Sequence, residues 1–268
     1  MSVNQQEKIK ITWFGCASLK IECGGTAIWT DPFITTLPGA ENATDYNTFS
    51  GAREILLSHG HFDHMISVPE LYKKQKINVY CTKTPGEKLI KHGVPKARIN
   101  LIAPGDSFNI GGAWVSVYQG EHIKFDKKFI AGVAWRAATS PRRLVNLLKM
   151  GSASRKLPEA GETVVLEIAC GGKRVIFMGS PGLPEGADRP EPGADALIIA
   201  YQGNYDPSPV ALSITEALRP KAVMFCHHDA AIPPLTPKQN VGIFIKKMRE
   251  KNPDIEVIDP VAENEALL

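Results

Sequence analysis

The chain is predicted to form a single α/β domain, and two observations support this prediction. Strand-like runs alternate with helix-like runs along the sequence, as in layered α/β proteins. Hydrophobic residues make up 43% of the 268 residues, which is enough to bury a large interior in one domain. We find no linker or low-complexity stretch in the sequence, so residues 1–268 form one predicted domain.

The predicted strands are short runs of apolar or alternating residues. In chain order they are residues 54–57, 78–81, 113–118, 163–168, 174–178, 195–200, 221–226 and 255–258. The predicted helices have apolar residues at helical spacing, and several carry a proline near the first turn. They span residues 67–75, 85–92, 209–218 and 237–251.

The strongest functional signal lies directly after the apolar run at residues 54–57. Four metal-capable side chains fall within six residues there: His59, His61, Asp63 and His64. Residues two apart in an extended chain point the same way, so His59 and His61 can bind one ion while Asp63 and His64 face a neighbouring position. Imidazole and carboxylate ligands suit one or two Zn²⁺ ions, with Mn²⁺ or Fe²⁺ as alternatives. A polar surface loop that happens to contain histidines is the other interpretation.

The pattern His-x-His-x-Asp-His after an apolar strand resembles the signature of the metallo-β-lactamase superfamily. Residues 9–15, 18–22 and 27–33 resemble the opening strands and the Asp-Pro turn of that family. The likeness covers the whole chain and is greatest to stand-alone metal-dependent hydrolases of the ascorbate-phosphate lactonase and N-acylethanolamine phospholipase D types. It implies a four-layer αββα sandwich, with two mixed sheets face to face and metals in a cleft along one edge.

The resemblance also implies a set of metal ligands at the ends of several strands. The implied ligands are His59, His61 and His122 for the first metal, and Asp63, His64 and His227 for the second. Both His122 and His227 directly follow predicted strands. The neighbouring His228 is an alternative ligand, or a residue that supports the site or contacts the substrate.

One departure from the family pattern concerns the carboxylate that bridges the two metals in most members. The corresponding Gly-Asp dipeptide is Gly179-Ser180 in this chain, and a neutral hydroxyl supplies no charge. We therefore expect weaker binding of the second metal, with solvent or substrate completing its shell. A single filled metal site is the alternative to two.

Hydrolysis is the reaction that such a ligand set is expected to support. A metal held this way lowers the pKa of bound water to near neutrality and polarises the substrate oxygen. Asp63 is the predicted catalytic residue, because it can orient the nucleophile and pass a proton to the leaving group. We expect Asp31, in the Asp-Pro turn, to fix a histidine by a hydrogen bond, and Tyr201 to form a pocket wall.

Residues 122–162 are predicted to be an insertion over the active site, formed by a loop or short helices. The segment is rich in lysine and arginine, with aromatic residues among them. Its basic side chains would suit an anionic substrate, such as a phosphate ester or a carboxylate. A solvated basic face, or a contact within a homo-oligomer, is an equally good interpretation.

Composition adds further expectations about the partners and location of the protein. The net charge of +3 is small and spread along the chain, so nucleic-acid binding is not indicated. The sequence has neither a long apolar run nor a signal-peptide pattern, which predicts a cytoplasmic protein without a membrane span. The cysteines are expected to be buried free thiols in a reducing compartment: Cys16, Cys23, Cys81, Cys170 and Cys226. A metal contact from Cys226 is the less favoured interpretation of that residue.

The sequence therefore predicts a metal-dependent hydrolase that acts on a small, anionic ester, lactone or phosphodiester. The alternative is a non-catalytic metal-binding or ligand-sensing protein on the same fold. The enzyme is favoured because the ligand set leaves coordination positions open, whereas a purely structural site would close them.

Overall fold

The structure is a computed structural model, and it describes residues 8–35, 37–42, 44–156, 161–258 and 265–268. The strands are β1 (Lys10–Trp13), β2 (Leu19–Cys23), β3 (Thr26–Thr30), β4 (Glu54–Leu56), β5 (Asn78–Cys81), β6 (Ile99–Leu101), β7 (Ser107–Ile110), β8 (Ala113–Gln119), β9 (Val164–Cys170), β10 (Lys173–Met178), β11 (Ala196–Ala200), β12 (Ala222–Cys226), β13 (Glu256–Ile258) and β14 (Glu265–Leu267). The helices are α1 (Phe62–Met65), α2 (Val68–Lys74), α3 (Lys83–Lys91), α4 (Lys127–Ala138), α5 (Pro141–Lys156), α6 (Ser208–Leu218) and α7 (Gly242–Lys251).

The strands form two mixed sheets, each with seven strands in the described part of the chain. One sheet has the order β14-β1-β2-β3-β4-β5-β6, and the other has the order β13-β12-β11-β10-β9-β8-β7. In the first sheet β1 to β3 are antiparallel and β3 to β6 are parallel. The second sheet repeats this division, with β7 to β10 antiparallel and β10 to β13 parallel.

Three buried apolar clusters define four layers. The largest lies between the sheets and contains residues such as Ile11 and Leu19 from one sheet and Val117 and Phe177 from the other. A second cluster covers the outer face of one sheet with α6 and α7, and a third covers the outer face of the other with α2 and α3. Strands β11 and β12 are buried along their whole length because both of their faces are covered. This arrangement confirms the predicted α/β sandwich.

Several element predictions need correction. The helix predicted for residues 237–251 begins only at Gly242, after a proline-rich stretch. Strands β6, β7 and β14 are too short and too exposed to show an apolar pattern in the sequence. The segment predicted as a loop or short helices forms a hairpin of two helices, α4 and α5, with 12 and 16 residues.

The expectation of five free thiols is wrong for two of the cysteines. Cys23 at the end of β2 and Cys170 at the end of β9 form a disulfide that links the two sheets, with their Cα atoms 6.3 Å apart. The sequence could not show this, because the pairing depends on how the sheets face each other. The remaining cysteines, Cys16, Cys81 and Cys226, are free and buried.

The strand directions gather the predicted site at one end of the sandwich. In the first sheet β1, β3 and β4 run the same way, and in the second sheet β8, β10 and β12 do so. Residues that follow these six strands can therefore meet at one edge. Because β2 and β9 run in the opposite direction, the disulfide lies at the other end of the sandwich. None of the described helices combines the length and apolar character that a membrane crossing requires.

Candidate metal centre

Three histidines form the first group of ligand side chains. His59 and His61 follow β4 and precede α1, and His122 follows β8. The ring nitrogens His59 Nε2 and His61 Nδ1 are 3.2 Å apart, and the ring centroids of His61 and His122 are 4.4 Å apart. One ligand atom from each of the three lies within 4.8 Å of the others.

Hydrogen bonds orient two of these rings. His122 Nδ1 lies 2.8 Å from the carbonyl oxygen of Ile123, which can only accept, so Nδ1 carries the proton and Nε2 keeps its lone pair. His59 Nδ1 lies 2.9 Å from Ser58 Oγ, which leaves His59 Nε2 facing His61. In both residues the contact at Nδ1 leaves Nε2 available as a ligand.

The first group fits a divalent metal in geometry and in protonation. Two imidazole nitrogens on one tetrahedral zinc ion lie about 3.3 Å apart, close to the spacing of the His59 and His61 nitrogens. Burial, reinforced by the neighbouring histidines, holds the pKa of His59 well below its usual range. Burial also lowers the pKa of His61, to about 4. Both imidazoles are therefore neutral near pH 7, which is the form that binds metal.

A second group lies beside the first and contains acidic and sulfur side chains. Asp63 Oδ2 is 3.1 Å from His227 Nε2 and 3.7 Å from His64 Nε2. The thiol of Cys16 is 3.5 Å from His227 Nε2, and one ligand atom each from Cys16, Asp63 and His227 lies within 4.8 Å of the others. Burial alone would raise the pKa of Asp63, but His64 and His227 together lower it below its usual range.

Asp31 is fully buried and connects the two groups through hydrogen bonds. Its backbone has a φ of +39°, and its carboxylate points back toward the residues after β4. Oδ2 accepts hydrogen bonds from His64 Nδ1 at 2.8 Å and from the hydroxyl of Ser58 at 2.5 Å, while Oδ1 accepts the amide of Ser58 at 2.8 Å. Ser58 in turn contacts His59. The Asp31 carboxylate therefore orients His64 directly and His59 through Ser58. Burial lowers the pKa of His64, but Asp63 and Asp31 outweigh burial and raise it.

Gly179 and Ser180 lie between the two sheets at the same edge. A side chain on Gly179 would collide with Ser58 Oγ and Asp31 Oδ2, so only glycine fits there. Ser180 is 3% exposed, and its hydroxyl accepts a hydrogen bond at 3.1 Å from the amide of Ile123, the residue after His122. The hydroxyl therefore holds the loop that carries His122.

The structure also separates His228 and Tyr201 from the residues that line the site. His228 stacks on Trp13 with ring centroids 4.6 Å apart, whereas its neighbour His227 turns toward Asp63. The prediction that Tyr201 forms a pocket wall is wrong. Its ring is fully buried under α6 beside Phe225, and its hydroxyl is 2.7 Å from Ser208 Oγ. Tyr201 directly follows a strand that is buried on both faces, so the sequence alone could not show which way its side chain points.

A cavity of about 560 Å³ opens above both groups. Its floor contains the predicted ligands His59, His61, Asp63, His64, His122 and His227. Its opposite wall comes mainly from the α4–α5 hairpin and the approach to it, with the apolar side chains Phe125, Phe129, Ile130, Val133, Ala134 and Leu147. The hairpin thus covers the candidate centre with an apolar surface.

The lysines and arginines described in segment 122–162 do not line this cavity. Among the described residues that line it, none is a lysine or an arginine. Arg136, Arg142 and Arg143 instead line a neighbouring cleft together with Lys238. The anionic substrate predicted from these basic residues therefore has no lysine or arginine partner among the described residues that line the cavity.

Cys16 is the site residue that the sequence analysis missed. The sequence indicates Cys226 because it stands next to His227, but the Cys226 side chain belongs to the core between the sheets. Cys16 lies 211 positions before His227, and only the folded chain brings their side chains together. A cysteine in the turn directly after the first strand was the available signal.

Comparison with known proteins identifies the class to which this fold and site belong. Residues 10–227 match the model of a family described as "Beta-lactamase superfamily domain". Because the match covers most of the chain, the chain belongs to this superfamily. The family predicted from the His-x-His-x-Asp-His signature is confirmed.

Particular relatives agree with this assignment. The chain is 25% identical over 226 residues to a "UPF0173 metal-dependent hydrolase" of Methylobacterium nodulans, covering 83% of this chain and 86% of the relative. A relative with the same description from Chelativorans sp. is 31% identical over 104 residues, which are 39% of this chain and only 44% of that protein. The fold is similar to that of Igni18, a metallo hydrolase from Ignicoccus hospitalis, with a TM-score of 0.64, 16% identity and coverage of 97% and 98% of the two chains.

Proposed function

We propose that the protein is a metal-dependent hydrolase that cleaves an ester, lactone or phosphodiester bond in a small substrate. One observation carries this proposal: two adjacent groups of ligand side chains form the floor of a single open cavity. The relatives described as metal-dependent hydrolases support it. A cytoplasmic location and assembly into a homo-oligomer stay predictions from the sequence.

The residues that would hold metal follow from the two groups. His59, His61 and His122 would hold the first ion, and Asp63, His64 and His227 would hold the second. Zinc suits this mixture of imidazole and carboxylate, with Mn²⁺ or Fe²⁺ as alternatives. When bound, such an ion lowers the pKa of water to near neutrality and polarises the substrate oxygen that is attacked.

Asp63 is the residue that we assign to proton transfer. It lines the cavity, and its side chain is 13% exposed, so it can reach a bound substrate. Because His64 and His227 keep its pKa low, the carboxylate is ionised near pH 7 but is a weak base, so it would accept a proton only from a water that a bound metal has made acidic. It can then deliver that proton to the leaving group.

The apolar cavity wall constrains the substrate. A substrate seated above the histidines would contact Phe129, Ile130 and Val133, so we propose that it carries an apolar group next to the bond that is cleaved. Any negative charge on its ester or phosphodiester would be met by the metal, because the described wall offers no lysine or arginine. Residues 122–162 would then act as the cover of the active site.

The first test is elemental analysis of gently purified protein combined with hydrolysis assays. The substrates are 4-nitrophenyl esters, lactones and phosphodiesters, each with and without added Zn²⁺ or Mn²⁺. We expect bound metal and metal-dependent turnover of at least one class. Bound metal without turnover of any substrate class would overturn the assignment as an enzyme and indicate a metal-binding or sensing protein.

A matched pair of variants tests the apolar wall. Ala134→Trp fills the cavity from α4, whereas Ala131→Trp places the same side chain on an exposed position of the same helix outside the cavity lining. The two test substrates are 4-nitrophenyl octanoate and 4-nitrophenyl acetate. We expect Ala134→Trp to lower kcat/KM for the octanoate about tenfold relative to the acetate, because crowding a large side chain into a filled space costs on the order of 1–3 kcal/mol. Equal effects of the two variants would contradict a substrate site in this cavity.

A further inference from the structure

We propose that the Cys16 thiolate is a ligand of the second metal, and that it supplies the negative charge that Ser180 lacks at the bridging position. This inference rests on the proposed metal centre and goes beyond it by adding a ligand from the turn after β1. The second group then consists of Cys16, Asp63, His64 and His227.

The thiol of Cys16 lies within ligand reach of Asp63 and His227. A sulfur and a nitrogen on one tetrahedral zinc ion lie about 3.6 Å apart, from bond lengths of about 2.3 and 2.05 Å. The thiol of Cys16 lies 3.5 Å from His227 Nε2 and 3.6 Å from His227 Nδ1, so the sulfur now lies beside the ring and would have to shift toward the Nε2 side to share an ion with it. For an oxygen and a nitrogen on the same ion the expected separation is about 3.4 Å, and Asp63 Oδ2 is 3.1 Å from His227 Nε2.

The backbone of Cys16 is fixed in a conformation that cysteine seldom adopts. Its φ is +48°, and its amide donates to both carboxylate oxygens of Asp229 at 3.1 Å. Its carbonyl oxygen accepts the indole N–H of Trp13 at 2.8 Å and the amide of His227 at 2.6 Å. The last bond joins the backbones of the two proposed ligands directly. A left-handed non-glycine residue held by four hydrogen bonds is typical of a functional position rather than of simple packing.

The charges explain why a thiolate is needed here. A divalent ion held by Asp63 and neutral histidines would carry one positive charge that its direct ligands do not offset, and every ligand is at least largely buried. The nearest further carboxylate described above, Asp31, contacts His64 and not the ion position. A carboxylate at position 180 would cancel this charge, but the Ser180 hydroxyl cannot, and it bonds to Ile123 instead. Cys16, 1% exposed, is a further group that can become an anion, and its ligand atom lies within 4.8 Å of those of Asp63 and His227.

The position of Cys16 also assigns different roles to the two ions. Cys16 is absent from the cavity lining, so its sulfur approaches the second group from the protein side. Four protein ligands would close the second centre, in the manner of structural zinc sites, whereas three histidines leave the first centre open toward the cavity. A metal held by the three histidines would therefore be the one that activates water. The soft sulfur ligand favours zinc over manganese in the second.

Cobalt substitution tests this inference with a spectroscopic readout. The protein is loaded with Co²⁺, and its near-ultraviolet absorption is recorded together with cobalt content. We expect a thiolate-to-cobalt charge-transfer band in the native chain, its loss in Cys16→Ser, and its retention in Cys81→Ser, which alters a buried thiol outside the centre. Absence of the band with two cobalt ions bound, or its persistence in Cys16→Ser, would overturn the assignment of Cys16.

A rescue experiment separates a ligand from a residue that only supports the fold. We expect Cys16→Ala to reduce metal content from two ions to one, and the double variant with Ser180→Asp to restore two ions, because an aspartate there returns the missing charge. A double variant that still binds one ion would contradict the inference. If Cys16→Ala does not fold, Cys16→Ser is used in its place, alone and combined with Ser180→Asp. Failure of the native chain to bind any cobalt would instead overturn the metal centre and the proposed hydrolase.

Discussion

The two halves of the candidate centre differ in chemistry and in how the chain builds them. The first half consists of three imidazoles, two of which come from one short loop after β4. The second half gathers Cys16, Asp63 and His227 from three distant parts of the chain, and it includes a carboxylate and a thiol. Both halves face the apolar cavity, but only the second has a further side chain, Cys16, on the side away from it.

This difference indicates that the two halves have different roles, one in activating water and the other in binding an ion tightly. Three neutral ligands leave the full charge of an ion available to act on water and on substrate. Anionic ligands reduce that charge but bind the ion more tightly, which suits an ion that positions Asp63. The comparison predicts that changes to each half should have separable effects on metal binding.

The largest expected effect is the loss of the first centre in His61→Ala. We expect this variant to lose one metal ion per chain and about 10³-fold or more in kcat/KM, because it removes the open metal site. The thiolate-to-cobalt band of the second centre should persist. His92→Ala, which changes an exposed histidine outside the centre, is the control. Loss of the band together with the first ion would show that the halves are not separable.

A smaller effect is expected for Asp31→Asn, which tests the link between the halves. The change keeps the shape of the side chain but removes the charge that holds His64 and, through Ser58, His59. We expect metal affinity to fall about 10- to 100-fold at both centres, measured by competition with a chelator. Asp254→Asn, at an exposed turn, is the control. An effect confined to one centre would break the proposed link.

The smallest effect on metal binding is expected from removal of the disulfide. The double variant Cys23→Ser and Cys170→Ser opens a link across 147 positions, so the free energy of unfolding should fall by about 2–5 kcal/mol. Metal affinity should stay within about twofold, because the link lies at the opposite end of the sandwich. Denaturant unfolding and chelator competition measure the two quantities, and in unfolding of the metal-free protein the native chain treated with dithiothreitol should behave like the variant. A loss of metal affinity equal to that of Asp31→Asn would contradict the independence of the two ends.

The sequence predicted those features that local patterns encode. The loop from His59 to His64 was visible because its ligands are adjacent, and most strands of the sheets followed from their apolar runs. Features that depend on distant segments were missed. Cys16 joins the centre only because the turn after β1 meets the end of β12, and Cys23 finds Cys170 only across two sheets. The direction of Tyr201 could not be predicted because the strand before it is buried on both faces and shows no alternating pattern.

The disulfide has a topological consequence for the centre. It closes residues 23–170 into a covalent ring, and His59, His61 and His122 all lie within this ring. Cys16 and His227 lie on the two tails that leave it. An ion held by these two residues and Asp63 would tie both tails to the ring at the end opposite the disulfide. The fold would then be cross-linked at both ends, by a disulfide that reductants cleave and by a metal ion that chelators remove.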